Sequence, residues 1–273
     1  MEGLLRGARR ILANLKPIRV PDSPSRAFRD LWPGDAARGA RLLRGEFELL
    51  GTVRPLRPAE ADGAQDWAAG SPAWRAAAHG FAWLRDLRAL GTDAARLRGR
   101  ALTADWLALR DDALSEAPEE AGAPITDWLC HWHVLAATAE DGFTRHLMQR
   151  MAQVARNVVA SLPAVAAHRG GLVALKGGMA ASVALEEETW FARCLRFLPQ
   201  ELERQFHPDG GHVERSPAQL LFAVQDLVEI RNLLHGAGVD APPLLPVLLD
   251  RAAPALRLMR HADGGVAMFN GTR

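Results

Sequence analysis

Residues 201–234 read ELERQFHPDGGHVERSPAQLLFAVQDLVEIRNLL. Two runs with helical apolar spacing flank Phe206 to Pro217, where Pro208, Gly210 and Gly211 impose a sharp turn. Ser216-Pro217 opens the second run in the order helix starts favour, an N-cap serine and then proline at the first helical position. A link this short between long helices makes them antiparallel neighbours, and so a helical hairpin.

The same grammar extends in both directions. Helical segments are expected near 72–90, 92–110, 123–138, 141–162, 171–184, 186–205, 216–236 and 243–260. Ser71-Pro72 repeats the serine-proline start, Gly91 stands where a left-handed helix end is expected, and Thr92 can cap the next segment. Successive hairpins close into solenoids or toroids, with one helix layer lining a cavity. The expected fold is all-α, an incomplete α/α toroid over 72–260. No repeat of fixed period is visible. Residues 1–71 read as N-terminal helices and irregular connector. They hold an amphipathic helix ended by Pro17, a short helix from Asp35 to about Arg44, and a small hairpin around Phe47, Leu49 and Val53. Residues 261–273 read as a turn and then a lone strand, which cannot satisfy its own backbone, so they suggest the first strand of a C-terminal β domain.

Charge narrows the function classes. The 33 basic and 32 acidic residues leave a net charge of +1, which argues against nucleic acid as a partner. Cys130 and Cys194 stand far apart without a CxxC spacing and read as free thiols. No apolar run is long enough for a membrane span, and the basic, amphipathic start lacks the apolar core of a secretory signal. That combination predicts a cytoplasmic location.

Four ionisable side chains, Asp209, His212, Glu214 and Arg215, crowd into seven residues of the turn. They read either as a polar site at a toroid rim or as a capped turn whose acids satisfy backbone amides. His207, Asp209, His212 and Glu214 match no metal-ligand spacing, and no cofactor is expected: phosphate-cradling and dinucleotide-binding glycine patterns are missing, as is GxSxG. The tryptophans give a second signal. Trp74 and Trp83 share a helix with His79, and Trp128 and Trp132 lie four apart beside His131. Indoles can stack on sugar faces, while core packing between helix layers is the competing reading.

AAHGFAWLRDLRALG (77–91), DWLCHWHVL (127–135), the 201–234 stretch and APALRLMRHADGGVAMFNG (253–271) together resemble the heparinase II/III-type proteins of bacteria. The resemblance runs in order over roughly residues 30–271. It implies a toroid that precedes a β-sandwich region, with the active site in the cleft between them. It also implies lyase chemistry on an acidic polysaccharide, in which the C5 proton is abstracted and the 4-linked sugar is expelled by β-elimination, and it admits the periplasm as compartment. Carried over, His212, Glu214 and Arg215 become the catalytic candidates of this half. Lys176, Asp209, Trp128, Trp132, His79 and Trp83 become candidates for binding substrate. The tyrosine that the family places shortly after its DG…E motif has no counterpart in Ser216 to Gln219, and the chain contains no tyrosine at all.

Overall fold

A computed structural model describes residues 18–26, 28–55, 67, 70–109, 118–164 and 168–272. The expected amphipathic helix before Pro17 and most of the 57–71 connector lie outside them. Among the described residues the order is α1 (Ala36–Leu43), β1 (Glu46–Leu49), β2 (Thr52–Pro55), α2 (Pro72–His79), α3 (Leu84–Leu90), α4 (Asp93–Leu107), α5 (Pro118–Cys130), α6 (Trp132–Ala136), α7 (Asp141–Ser161), α8 (Gly170–Leu185), α9 (Glu188–Gln205), α10 (Pro217–Gly236) and α11 (Leu244–Leu258). The molecule is predominantly helical and has the form of an incomplete α/α toroid.

Local chemistry explains most of the boundaries. The Ser71 hydroxyl accepts from the Trp74 N–H and Thr92 from the Ala95 N–H, while Gly91 ends α3 at φ 63°. In the hairpin Leu50 and Gly51 both take positive φ, as a two-residue turn between twisted strands requires. Two expected helices are broken. The segment 72–90 splits because Phe81 adopts φ +65°, driving a fully buried ring among Trp67, Trp83, Trp106 and Trp128. Left-handed backbone costs a side-chain-bearing residue about 1–2 kcal/mol, which burial of an aromatic ring offsets. The segment 123–138 breaks at His131, whose φ of −109° and ψ of 14° are not helical.

Helix α8, GGLVALKGGMAASVAL, is apolar on nearly every side and buried along almost its whole length, packing against α5, α7, α9 and α10. Its approach to α5 is unusually close. A Cβ on Gly177 would sit 2.3 Å from the Gly122 carbonyl oxygen, so only glycine fits there.

The turns that end α9 and α11 are copies. In each, a His-Xaa-Asp-Gly-Gly sequence (207–211 and 261–265) folds so that the His N–H donates to the second glycine's carbonyl, at 2.9 Å and 2.8 Å. The Asp side chain accepts from that glycine's N–H at 2.9 Å in both. Isolated bridges pair Phe206 with His212 and Arg260 with Val266. The strand expected in 261–273 is therefore replaced, among the described residues, by this bridged turn. Residues 270–272 then dock back on the molecule. Asn270 Nδ2 donates to the Arg215 carbonyl, and Thr272 Oγ1 accepts from the Ala218 N–H at 3.1 Å. Ser216, expected to cap α10, makes no such bond itself; its hydroxyl pairs with Thr272 at 3.1 Å.

Candidate functional site

The turn between α9 and α10 presents Asp209, Glu214 and Arg215 to solvent and withdraws His212 from it. Arg215 binds Asp209 at 2.6 Å, and with the Gly211 N–H it holds the Asp209 carboxyl below its ordinary range. Glu214 accepts from the Arg169 N–H at 3.0 Å, satisfying one of the free amides at the start of α8. His212 is 1% exposed and committed at both nitrogens. Nε2 donates to the Gln205 amide oxygen at 2.6 Å, and Nδ1 accepts from the Glu214 N–H at 3.3 Å. Burial, helped by Arg169 and His168, pushes its pKa down to about 4, so the ring is neutral at pH 7. Gln205 in turn donates to Glu201 at 2.5 Å and to the His168 carbonyl. A histidine held this way fixes a turn and has no free lone pair for a substrate proton.

From Arg169 a ladder of charges runs inward. Arg169 Nε lies 2.7 Å from Asp226, and Lys176 Nζ lies 2.6 Å from Asp226 and 2.5 Å from Glu229. Glu229 also accepts from the Trp32 indole. Burial alone would drive the Lys176 pKa down. Asp226 and Glu229 more than reverse that, so the ammonium is held firmly charged. Lys176, a candidate for binding substrate, is thus already neutralised within the protein.

Beyond Glu229 the ladder opens on a cavity of about 240 Å³ between α3, α5, α8 and α10, closed on one side by Arg26 and residues 28–31. That segment is anchored by Ser25, which bonds the Val183 and Ala184 carbonyls, and by Arg26, which donates to the Gly236 carbonyl. Arg85 bridges Asp30 at 3.3 Å and Asp127 at 3.6 Å. Burial works against ionisation of Asp30, but His131 and Arg85 outweigh it and hold the carboxyl at about 2. Asp127 is less well compensated, and burial raises it to about 6. Cys130, at the cavity wall, is pushed far above the usual thiol range by burial and the surrounding acids.

The aromatic candidates do not gather in a groove. Trp128 is fully buried and Trp83 is 3% exposed, packed with Phe81 in one aromatic cluster, so neither face can stack on a sugar. His79 accepts from the Trp106 indole and donates to the Trp67 carbonyl, both at 2.9 Å, which fixes it as a neutral structural ring. Trp132 is half-buried against the core. Of the residues that do line the cavity, Arg85, Asp127 and Glu229 fall inside three of the stretches that carry the family resemblance, but nothing in their spacing singles them out. Only Lys176, which also lines it, carries a signal in the sequence, as the single charged residue of α8.

No protein-family profile matches the chain. FtsZ-localized protein C of Caulobacter vibrioides is 30% identical over 255 residues, covering 92% of this chain and 43% of that protein. The crystal structure of heparinase III matches at a TM-score of 0.66 and 15% identity, over 97% of this chain and 45% of that one. The heparan sulfate lyase HepC from Pedobacter heparinus gives 0.60 and 15%, over 98% and 45%. The chain therefore spans less than half the length of these proteins, and what it shares with the two lyases is their fold.

Proposed function

We propose that this chain is a heparinase-fold module that holds an acidic or amino-sugar saccharide and does not cleave it unaided. The state of His212 carries the reading: neutral, 1% exposed and bonded at both nitrogens, it is a turn anchor and not an acid or base. The 273 residues also contain no tyrosine to supply a phenol. The exposed groups at the turn, Asp209, Glu214 and Arg215, are the surface offered to a saccharide. Arg215 is the cation that would meet its carboxylate. Any β-elimination by a larger protein needs groups from another domain, and the β domain implied by the resemblance is the proposed source. Leu258, Met268 and Phe269, which are 89%, 76% and 46% exposed, are the apolar side chains proposed to receive it.

A paired assay tests this on one sample: product absorbance for turnover, and binding, with heparan sulfate, alginate and hyaluronan. Binding without turnover, weakened by Arg215→Ala, is the expected result. Turnover that His212→Ala abolishes would overturn it.

A second reading has its own support. The match to FtsZ-localized protein C covers nearly the whole chain. It favours a scaffold that takes its place with FtsZ, in which the α9–α10 turn is architectural. A fluorescent fusion that follows FtsZ, together with no saccharide binding in the paired assay, would select this reading.

A further inference from the structure

Asp30 enters the toroid wall from an irregular stretch, residues 28–31, that makes no backbone–backbone hydrogen bond among the described residues. Arg29 and Leu31 on either side of it are exposed, whereas the Asp30 side chain is 3% exposed. The groups that receive it belong to the helices. Arg85 and Arg88 stand three apart on one face of α3, and His131 stands at the break between α5 and α6. Their nitrogens converge on a single oxygen, Asp30 Oδ2. Arg85 Nε lies 3.3 Å from it, Arg88 Nη2 3.2 Å and His131 Nε2 3.4 Å. Asp30 Oδ1 is spent on its own backbone, where it accepts from the Trp32 N–H at 3.0 Å.

The fit is incomplete. Asp30 Oδ2, Arg85 Nε and His131 Nε2 are buried, yet none makes a hydrogen bond of proper geometry among the described residues. Buried polar atoms are nearly always satisfied, and here three unsatisfied ones face each other. A carboxylate free to present both oxygens would give the guanidinium groups the paired bonds that arginine favours. Taking the anion away would leave cations facing one another out of water, so the place calls for an anion whatever supplies it. It also borders open volume: Arg85 and Asp30 line the cavity, together with Phe28, Arg29 and Leu31.

We propose that Arg85, Arg88 and His131 form a carboxylate-binding site that Asp30 fills in cis, and that a ligand carboxylate takes its place, lifting residues 28–31 as a displaceable cover of the cavity. The ligand class follows from the occupant, since the site already holds a carboxylate. Tethering gives Asp30 an effective concentration on the order of mM if the link is short and flexible, which a competing carboxylate in excess overcomes.

Asp30→Gly tests the site, because it removes a side chain the size of acetate. In thermal melts of the whole chain at equal ionic strength, about 0.3 M sodium acetate should raise the melting temperature of this variant by about 3 °C or more over sodium chloride. The unmodified chain should not share that shift, and adding Arg88→Gln should erase it. Amide exchange on the unmodified chain reads the displacement itself and needs no variant to fold. The Trp32 amide, which donates to Asp30, should exchange about twofold faster or more in about 0.5 M acetate than in chloride. Equal melting of Asp30→Gly in the two salts, an acetate shift that the unmodified chain shares or that survives Arg88→Gln, or unchanged Trp32 exchange overturns the proposal. None of these readouts involves Arg215 or a saccharide, so the proposal stands or falls apart from the saccharide reading.

Discussion

Lys176 on α8 and Asp226 on α10 meet at 2.6 Å in the interior of the toroid, and neither is exposed by more than a tenth. A charge taken out of water is tolerable only while its counter-charges remain in place. Lys176 serves two carboxylates and Asp226 serves two cations, so the contacts stand or fall together.

Lys176→Met should accordingly destabilise the chain by about 3–5 kcal/mol, the usual cost of stranding a buried charge. Adding Glu229→Gln should restore part of the loss, because the second substitution removes one of the stranded carboxylates. Urea unfolding of the single and double variants measures both; strictly additive losses would contradict a shared network.

Asp127 and His212 should bend the pH–stability curve in opposite senses. The Asp127 carboxyl is raised from 3.8 to about 6, so between about pH 4 and 6 the folded chain binds the extra proton. Stability contributed there falls as pH rises through that window, and the cost is complete above it. His212 is lowered from 6.5 to about 4, so its contribution is complete above about pH 6.5 and is lost as pH falls toward 4. Asp127→Asn should therefore stabilise the protein at pH 7.5 by about 1–3 kcal/mol and do little at pH 4. His212→Gln should flatten the acid limb. Thermal melts between these limits check the two signs.

Thr272→Ala should cost about 0.5–2 kcal/mol, the range for losing an N-cap, although residue 272 lies 54 positions from the Ala218 amide it caps. Amide exchange localises the effect. The first turn of α10 should exchange faster in the variant while α8 is unchanged; uniform protection would show that the cap is dispensable.

Gly177→Ala should destabilise by about 1–3 kcal/mol or more, as overpacking does, because the new methyl would meet the Gly122 backbone and not a side chain able to turn away. Gly142→Ala provides the control, since a Cβ there meets nothing within 4 Å. Equal melting temperatures for the two variants would refute the close contact.

Much of the helical order is legible from residues that act alone. Ser71, Thr92 and Gly91 each set a boundary by local hydrogen bonding or backbone preference. The break at Phe81 is invisible because AAHGFAW keeps helical spacing, and what interrupts it is the demand of a distant aromatic cluster. The Trp128 and Trp83 rings have the right chemistry for sugar stacking, and only packing reveals that both are sealed. The cavity is assembled from four helices, Arg26 and residues 28–31, none of which betrays it singly. Lys176 illustrates the limit: its isolation in an apolar helix marks it as special, but its two carboxylates lie 50 and 53 residues away.

The twin His-Xaa-Asp-Gly-Gly turns have a consequence for ancestry. Their aspartates stand at 209 and 263, a separation of 263 − 209 = 54 residues. Each turn closes one long helix with the same hydrogen bonds, so the stretch between corresponding points begins and ends at equivalent joints. Duplication at such joints lengthens a toroid without redesigning its core. Among relatives, insertions should therefore cluster at these two turns and come in whole helical hairpins, while the interiors of α9 and α10 keep constant length.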